Sequence, residues 1–107
     1  MIEVRMSTFA VKADKFFLPG ATSGPGYLLV EDGVFGHFTK EKPDCEIIDR
    51  TGSWVAPGLV DTHIHGFLDH DIMDCDPDGV IEIAQGLLSN GVTSWLPTTL
   101  TASVEQT

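Results

Sequence analysis

The chain has 107 residues, with 16 acidic against 6 basic side chains and a formal charge of −10. At roughly 100–200 residues per domain this is one domain or a piece of a longer polypeptide; 42% hydrophobic and 21% charged residues are ordinary globular values that exclude wholesale disorder. The acidic balance repels phosphate backbones and anionic headgroups, which argues against nucleic-acid and membrane partners. No run approaches the ~18 apolar residues of a membrane span, and Met1-Ile2-Glu3-Val4-Arg5 lacks the layout of a signal peptide. Cys45 and Cys75 form no CxxC motif, which suits free thiols in a reducing compartment. These features predict a cytoplasmic protein.

Residues 8–11 form a short apolar, β-branched run. Pro19, Gly20, Gly24, Pro25 and Gly26 then predict a loop. Tyr27-Leu28-Leu29-Val30 and Val34-Phe35-Gly36-His37-Phe38 read as strands of a hairpin, because Glu31-Asp32-Gly33 between them carries the Asp-Gly turn signal. Ile47-Ile48 opens another short strand and Thr51-Gly52-Ser53 reads as a turn. Small antiparallel strands of this kind need another sheet to pack on, and residues 1–56 offer few of them.

The character changes at Pro57-Gly58. Residues 59–65 are a strand candidate ending at Gly66, followed by loop chemistry through Asp76. Asp76-Pro77 is a helix start, with Asp as N-cap and Pro in the first turn. Val80, Ile83, Ala84, Leu87 and Leu88 recur with helical spacing and predict one core-facing stripe. Asn90-Gly91 stops that helix, residues 92–96 form the next strand up to Pro97, and Ser103 with Gln106 resembles a capping box. Strand, helix and strand with a crossover of this length imply a parallel βαβ unit. Residues 57–107 thus amount to about a quarter of an eight-fold barrel, which takes ~250 residues, so the expectation is the N-terminal piece of a longer chain. Such a piece leaves sheet edges and a helix face uncovered, which predicts association, as a homo-oligomer or within a larger polypeptide.

His63-Ile64-His65 is the sharpest chemical feature. On a strand, residues i and i+2 share a face, so both imidazoles project together. Two such rings at a strand end can bind one divalent transition metal; the plain alternative is two unrelated histidines, one packed and one on a loop. Asp61 precedes His63 on the same face and can support it through a hydrogen bond to a ring or to nearby backbone. His70 can reach a ligand from the loop, or be a solvated loop histidine. Thr98, Thr99 and Thr101 follow a strand end, and can line a site or simply cap the next helix. Asp69, Asp71, Asp74, Asp76 and Asp78 form an acidic cluster without an EF-hand order, which favours a solvated loop. Flanking carboxylates discourage thiolate formation at Cys75, so it is no nucleophile. Trp95 reads as packing.

The run Ala56-Pro57-Gly58-Leu59-Val60-Asp61-Thr62-His63-Ile64-His65-Gly66 resembles the first-strand signature of the amidohydrolase superfamily: Pro-Gly, two apolar residues, then Asp-x-His-x-His. Within it, Asp71-Ile72-Met73-Asp74 and the run from Asn90-Gly91-Val92-Thr93 through Pro97-Thr98-Thr99-Leu100-Thr101 are similar to the N-acetylglucosamine-6-phosphate deacetylase family. The resemblance implies an α/β fold: the start of a metal-dependent, TIM-like (β/α)8 barrel over 57–107, preceded over 1–56 by part of a small β-sandwich domain. It implies His63 and His65 as metal ligands, a divalent cation (Zn, Fe, Mn or Co) as cofactor, and an amino-sugar phosphate as substrate. Asp61, His70 and Thr98 would support the metal site or the substrate loop. No catalytic residue falls in this chain on that reading, because the family's general-base Asp and later ligands would lie beyond residue 107; the 107 residues alone would be inactive. One departure stands out: family members commonly follow the His pair with a glycine-rich loop, where this chain has Gly66-Phe67-Leu68-Asp69-His70. Some members replace the histidines with Gln and Asn; this chain keeps both, like the members in which that pair binds metal. The alternatives are a dihydroorotase-like cyclic-amide hydrolase, which shares the first-strand motif, and a non-catalytic βα interaction or folding module.

Overall fold

A computed structural model describes residues 8–105, which separate into two compact units, Met1–Pro57 and Gly58–Thr107. The first is a five-stranded sheet of β1 (Phe9–Leu18), β2 (Ala21–Ser23), β3 (Gly26–Glu31), β4 (Val34–Thr39) and β5 (Glu46–Val55). β1 is the hub: it pairs antiparallel with β2 and β3 and parallel with β5. The β3–β4 hairpin turns at Asp32 and Gly33, both left-handed with φ 53° and 76°, as a two-residue primed turn requires.

Three sequence expectations change here. The Pro/Gly-rich stretch after Leu18 holds a strand, β2, rather than a loop throughout. Thr51-Gly52-Ser53 lies inside β5; Gly52, at φ 89°, and a register shift between Ala13 and Lys15 absorb the irregularity without ending the strand. The β1–β5 pairing is parallel where antiparallel strands are expected, because the chain returns through β3 and β4 before reaching β1 again. Ala13, Phe16 and Leu28 form the small core, with Phe38 tilted on Phe16 at 5.3 Å between ring centres.

The second unit is a βαβ crossover. β6 (Leu59–Ile64) and β9 (Val92–Pro97) pair in parallel, joined through the short hairpin β7 (Gly66–Phe67) and β8 (His70–Asp71), a 3-10 turn (Ile72–Asp74) and α1 (Pro77–Ser89). The loop expected between Gly66 and Asp76 is therefore structured. Its carboxylates explain why: Asp71 accepts the Met73 N–H while Asp74 accepts the Asp71 N–H, a reciprocal cap on the 3-10 turn. Asp76 caps α1 by accepting the Asp78 N–H, with Pro77 behind it. α1 ends at Asn90, and Gly91 takes φ 86°.

Only part of the expected apolar stripe is core. Gly79, Ile83 and Leu87 are buried at i, i+4, i+8, whereas Leu88 is 61% exposed, one position round the helix. Leu59, Val60 and Leu96 are also exposed, since a two-stranded sheet covers little of its own surface. The capping box expected at Ser103 and Gln106 falls in part outside the described residues; Val104 and Glu105, which are described, form a turn.

The parallel sheet starts with a close approach. A Cβ on Gly58 would collide with Oγ1, Cγ2 and Cβ of Thr93, so no rotation of the Thr93 side chain makes room. Gly58→Ala should therefore destabilise this unit by about 1–3 kcal/mol, overriding the modest entropic gain of replacing glycine. Urea unfolding measures it, and an unchanged or raised midpoint would contradict the packing.

Candidate metal centre

β6 ends at Ile64, and the two histidines of the His-x-His motif straddle that end. Their rings meet edge to face, with centres 4.8 Å apart and the two Nε2 atoms 3.1 Å apart. His63 is exposed and His65 half-buried. The i, i+2 spacing thus brings both imidazoles to one point, although His65 lies one residue past the strand.

His65 is held from two directions. Its carbonyl accepts the Ile72 N–H at 2.8 Å, closing the hairpin behind it, and its Nδ1 lies 3.1 Å from the carbonyl oxygen of Thr98. A carbonyl can only accept, so Nδ1 carries the proton and Nε2 of the neutral ring is left with a lone pair. In the protein alone that lone pair takes the Nε2–H of His63. A cation there would require His63 to carry its proton on Nδ1 instead. Two imidazole nitrogens bound at about 2.0–2.1 Å to one ion stand roughly 3–3.4 Å apart, depending on coordination geometry. The observed separation fits, and the donor chemistry suits a divalent transition metal. The pair makes two ligands of a shell. Among the described residues, no group of three or more His, Cys, Asp or Glu side chains is arranged to hold a metal.

The remaining candidates separate by what they touch. Asp61 accepts the backbone N–H of His63 at 3.0 Å, so it shapes the strand end through the main chain rather than through a ring. Thr98 ties β9 to β6: its N–H donates to the Ile64 carbonyl, and its hydroxyl accepts the Ile64 N–H. His70 is not a solvated loop residue. Its Nε2 meets Glu82 of α1 at 2.8 Å, and its ring packs where a Cβ on Gly79 would sit. Sequence reasoning missed Glu82, whose only signal is a charged position on the helix facing the loop. Phe67 and Leu68, bulky where a glycine-rich loop is common, lie against Gly86 of α1. Leu68 and Asp69 turn with φ 53° and 62°, a left-handed conformation that glycine would adopt with less strain. Cys75 is an exposed free thiol, and Cys45 is free and half-buried. A cleft of about 520 Å³ lies beside the 3-10 turn, lined by Asp71, Met73, Cys75, Leu100, Thr101 and Glu105.

The hydrogen bond to Glu82 raises the His70 pKa above its ordinary 6.5, against a lesser opposing effect of burial and with help from the charges of Glu82, Asp76 and Asp74. The folded state then binds the proton more tightly than the unfolded state. The stabilisation is complete below about pH 6.5 and is lost as pH rises through the raised folded value. The difference in urea midpoint between the unaltered chain and Glu82→Gln should therefore shrink from pH 6 towards pH 8, a window set by the ordinary imidazole range. His63 and His65 are common to both proteins and cancel. A difference that grew with pH would refute the pairing.

No protein-family model matches the chain. The N-acetylgalactosamine-6-phosphate deacetylase of Escherichia coli O157:H7 is 37% identical over 75 residues, covering 70% of this chain and 19% of that protein. The N-acetylglucosamine-6-phosphate deacetylase of Bacillus subtilis is 34% identical over 80 residues, 71% of this chain and 20% of that protein. A 5-methylthioadenosine/S-adenosylhomocysteine deaminase of Bacillus cytotoxicus is 42% identical over a shorter 45 residues, 37% of this chain. The solved N-acetyl-D-glucosamine-6-phosphate deacetylase of Mycobacterium smegmatis, in complex with N-acetyl-D-glucosamine-6-phosphate, superposes with a TM-score of 0.77 at 23% identity. That superposition covers 94% of this chain and 26% of the solved one, and it shows a shared fold. The chain thus spans about a fifth of the length of its deacetylase relatives. The resemblance to the N-acetylglucosamine-6-phosphate deacetylases holds against these curated relatives.

Proposed function

We propose that this relative of the N-acetylhexosamine-6-phosphate deacetylases contributes the first strand of a metal-dependent amide hydrolase, acting within a polypeptide of the relatives' length. The reaction is removal of acetate from N-acetylglucosamine 6-phosphate, leaving glucosamine 6-phosphate. On this reading residues 57–107 are the first βα units of a (β/α)8 barrel, and residues 1–56 are the N-terminal part of a small β-sandwich domain. The observation that carries the proposal is the convergence of His63 and His65 at the C-terminal end of β6, the end where barrel enzymes keep their chemistry. The deaminase likeness covers only about half as much of the chain, so the deacetylase reading is the better supported.

The chain's own residues do three things in this scheme. His63 and His65 present nitrogen donors to a divalent cation, whose identity among Zn, Fe, Mn and Co their chemistry leaves open. Thr98 and Asp61 hold the strand end from which those donors project. The turn at Leu68–Asp69, backed by α1, shapes the adjoining loop. His63 and His65 would hold such a cation, and when bound it would supply Lewis acidity for activating water and an amide carbonyl. Two free cysteines outside any CxxC motif suit a reducing compartment and support a cytoplasmic location. Among the described residues, no helix is long and apolar enough to cross a membrane. The exposed Leu59, Val60, Leu88 and Leu96 support an associated state, a homo-oligomer or one continuous barrel.

The test is acetate release from N-acetylglucosamine 6-phosphate and N-acetylgalactosamine 6-phosphate by the relative-length protein carrying these residues, with and without added divalent metal. Dihydroorotate turnover is followed in parallel. His65→Ala should lower bound metal and turnover together, by about 10-fold or more. Turnover of dihydroorotate alone would overturn the assignment, whereas full deacetylation with unchanged metal in His65→Ala would refute the metal-ligand role of the His pair and leave the activity standing.

A further inference from the structure

We infer that Thr98 is a positioning residue that decides which nitrogen of His65 is bare. Four hydrogen bonds converge on it. Its N–H donates to the Ile64 carbonyl at 2.9 Å, its hydroxyl accepts the Ile64 N–H at 3.0 Å and donates to the Leu96 carbonyl at 3.2 Å, and its carbonyl faces His65 Nδ1 at 3.1 Å. A hydroxyl has one proton and two lone pairs, so Oγ1 can bridge the two strand ends at once. The bridge fixes the peptide whose carbonyl then selects the Nδ1–H tautomer of His65. Thr98 is half-buried, which limits the competition of water for these bonds.

The side chain thus acts on the imidazole through its own backbone. Valine has the same shape but leaves the Ile64 N–H and the Leu96 carbonyl without the hydroxyl, so only the backbone N–H bond to the Ile64 carbonyl still holds Thr98 and its carbonyl is less firmly placed. Serine restores both bonds. A purely structural threonine would change stability with either substitution and leave the tautomer untouched. The consequence for cation binding rests on the metal reading above, whereas the tautomer does not.

Long-range proton–nitrogen spectra of the full 107-residue chain, labelled with 15N-histidine and recorded above the imidazole titration range, read each ring nitrogen directly. His65 should show a protonated Nδ1 and a bare Nε2 in the unaltered chain and in Thr98→Ser. In Thr98→Val it should shift to Nε2–H or to an average of the two forms. Thr98→Ala serves in its place if the valine variant does not fold. A bare Nδ1 in the unaltered chain, or an unchanged tautomer in a folded valine or alanine variant, would overturn the inference. Titration with Zn²⁺ separates it from the metal reading: binding should weaken about tenfold or more in the valine variant and recover in the serine variant. Absence of Zn²⁺ binding throughout, with the tautomer pattern as expected, would count against the metal reading and leave the role of Thr98 standing.

Discussion

The joint between the ends of β6 and β9 governs the second unit. Parallel strands cannot be closed by a tight turn, so the chain between them must travel out through a hairpin and a helix and return in register. What stops the two ends from splaying is the pairing of Ile64 with Thr98, through backbone and hydroxyl alike. The same few atoms hold His65 in place, and His63 follows because it belongs to the strand being held. A site made of two exposed or half-exposed rings would otherwise be a loose one. Here the order comes from main-chain bonds beneath the rings, which solvent reaches less readily.

The acidic loop illustrates how one residue type serves different ends according to what surrounds it. Five aspartates between positions 69 and 78 look like ligands for a hard cation when only their charge is considered. Asp71, Asp74 and Asp76 instead accept backbone N–H groups at the starts of the 3-10 turn and of α1. Orphan N–H groups at a helix start are a certain demand, present in every copy of the fold, and a carboxylate one to three residues away meets it with little loss of chain entropy. The formal charge of −10 is in part the by-product of that local chemistry. His70 shares the same economy of contacts: it ties the hairpin to the helix through Glu82.

The exposed apolar residues tell a consistent story about size. Each unit buries a small core, Phe16 with its neighbours in one and Ile83 with Leu87 in the other, while Trp54, Leu59, Val60 and Leu88 remain open. A two-stranded parallel sheet has two edges and two faces, and one 13-residue helix covers only part of one face. The stretch matched in the curated deacetylase relatives makes up only 19–20% of their length.

By itself the sequence determined whatever depends on neighbours in the chain. The Asp32-Gly33 turn, the Asp76-Pro77 start and Asn90 stop of α1, the parallel βαβ order and the meeting of His63 with His65 all follow from local backbone preference and from the two-residue period of a strand. Tertiary structure alone decided that β5 runs on through Gly52, that β1 pairs in parallel with β5, and that Leu88 stays outside while Ile83 goes in. It also decided that Glu82 answers His70 across 12 positions and that the Thr98 carbonyl answers His65 across 33. Those pairings depend on where segments distant in sequence come to rest. No periodicity or propensity encodes that, because a hydrogen-bond donor is satisfied equally well by any acceptor the fold brings within reach.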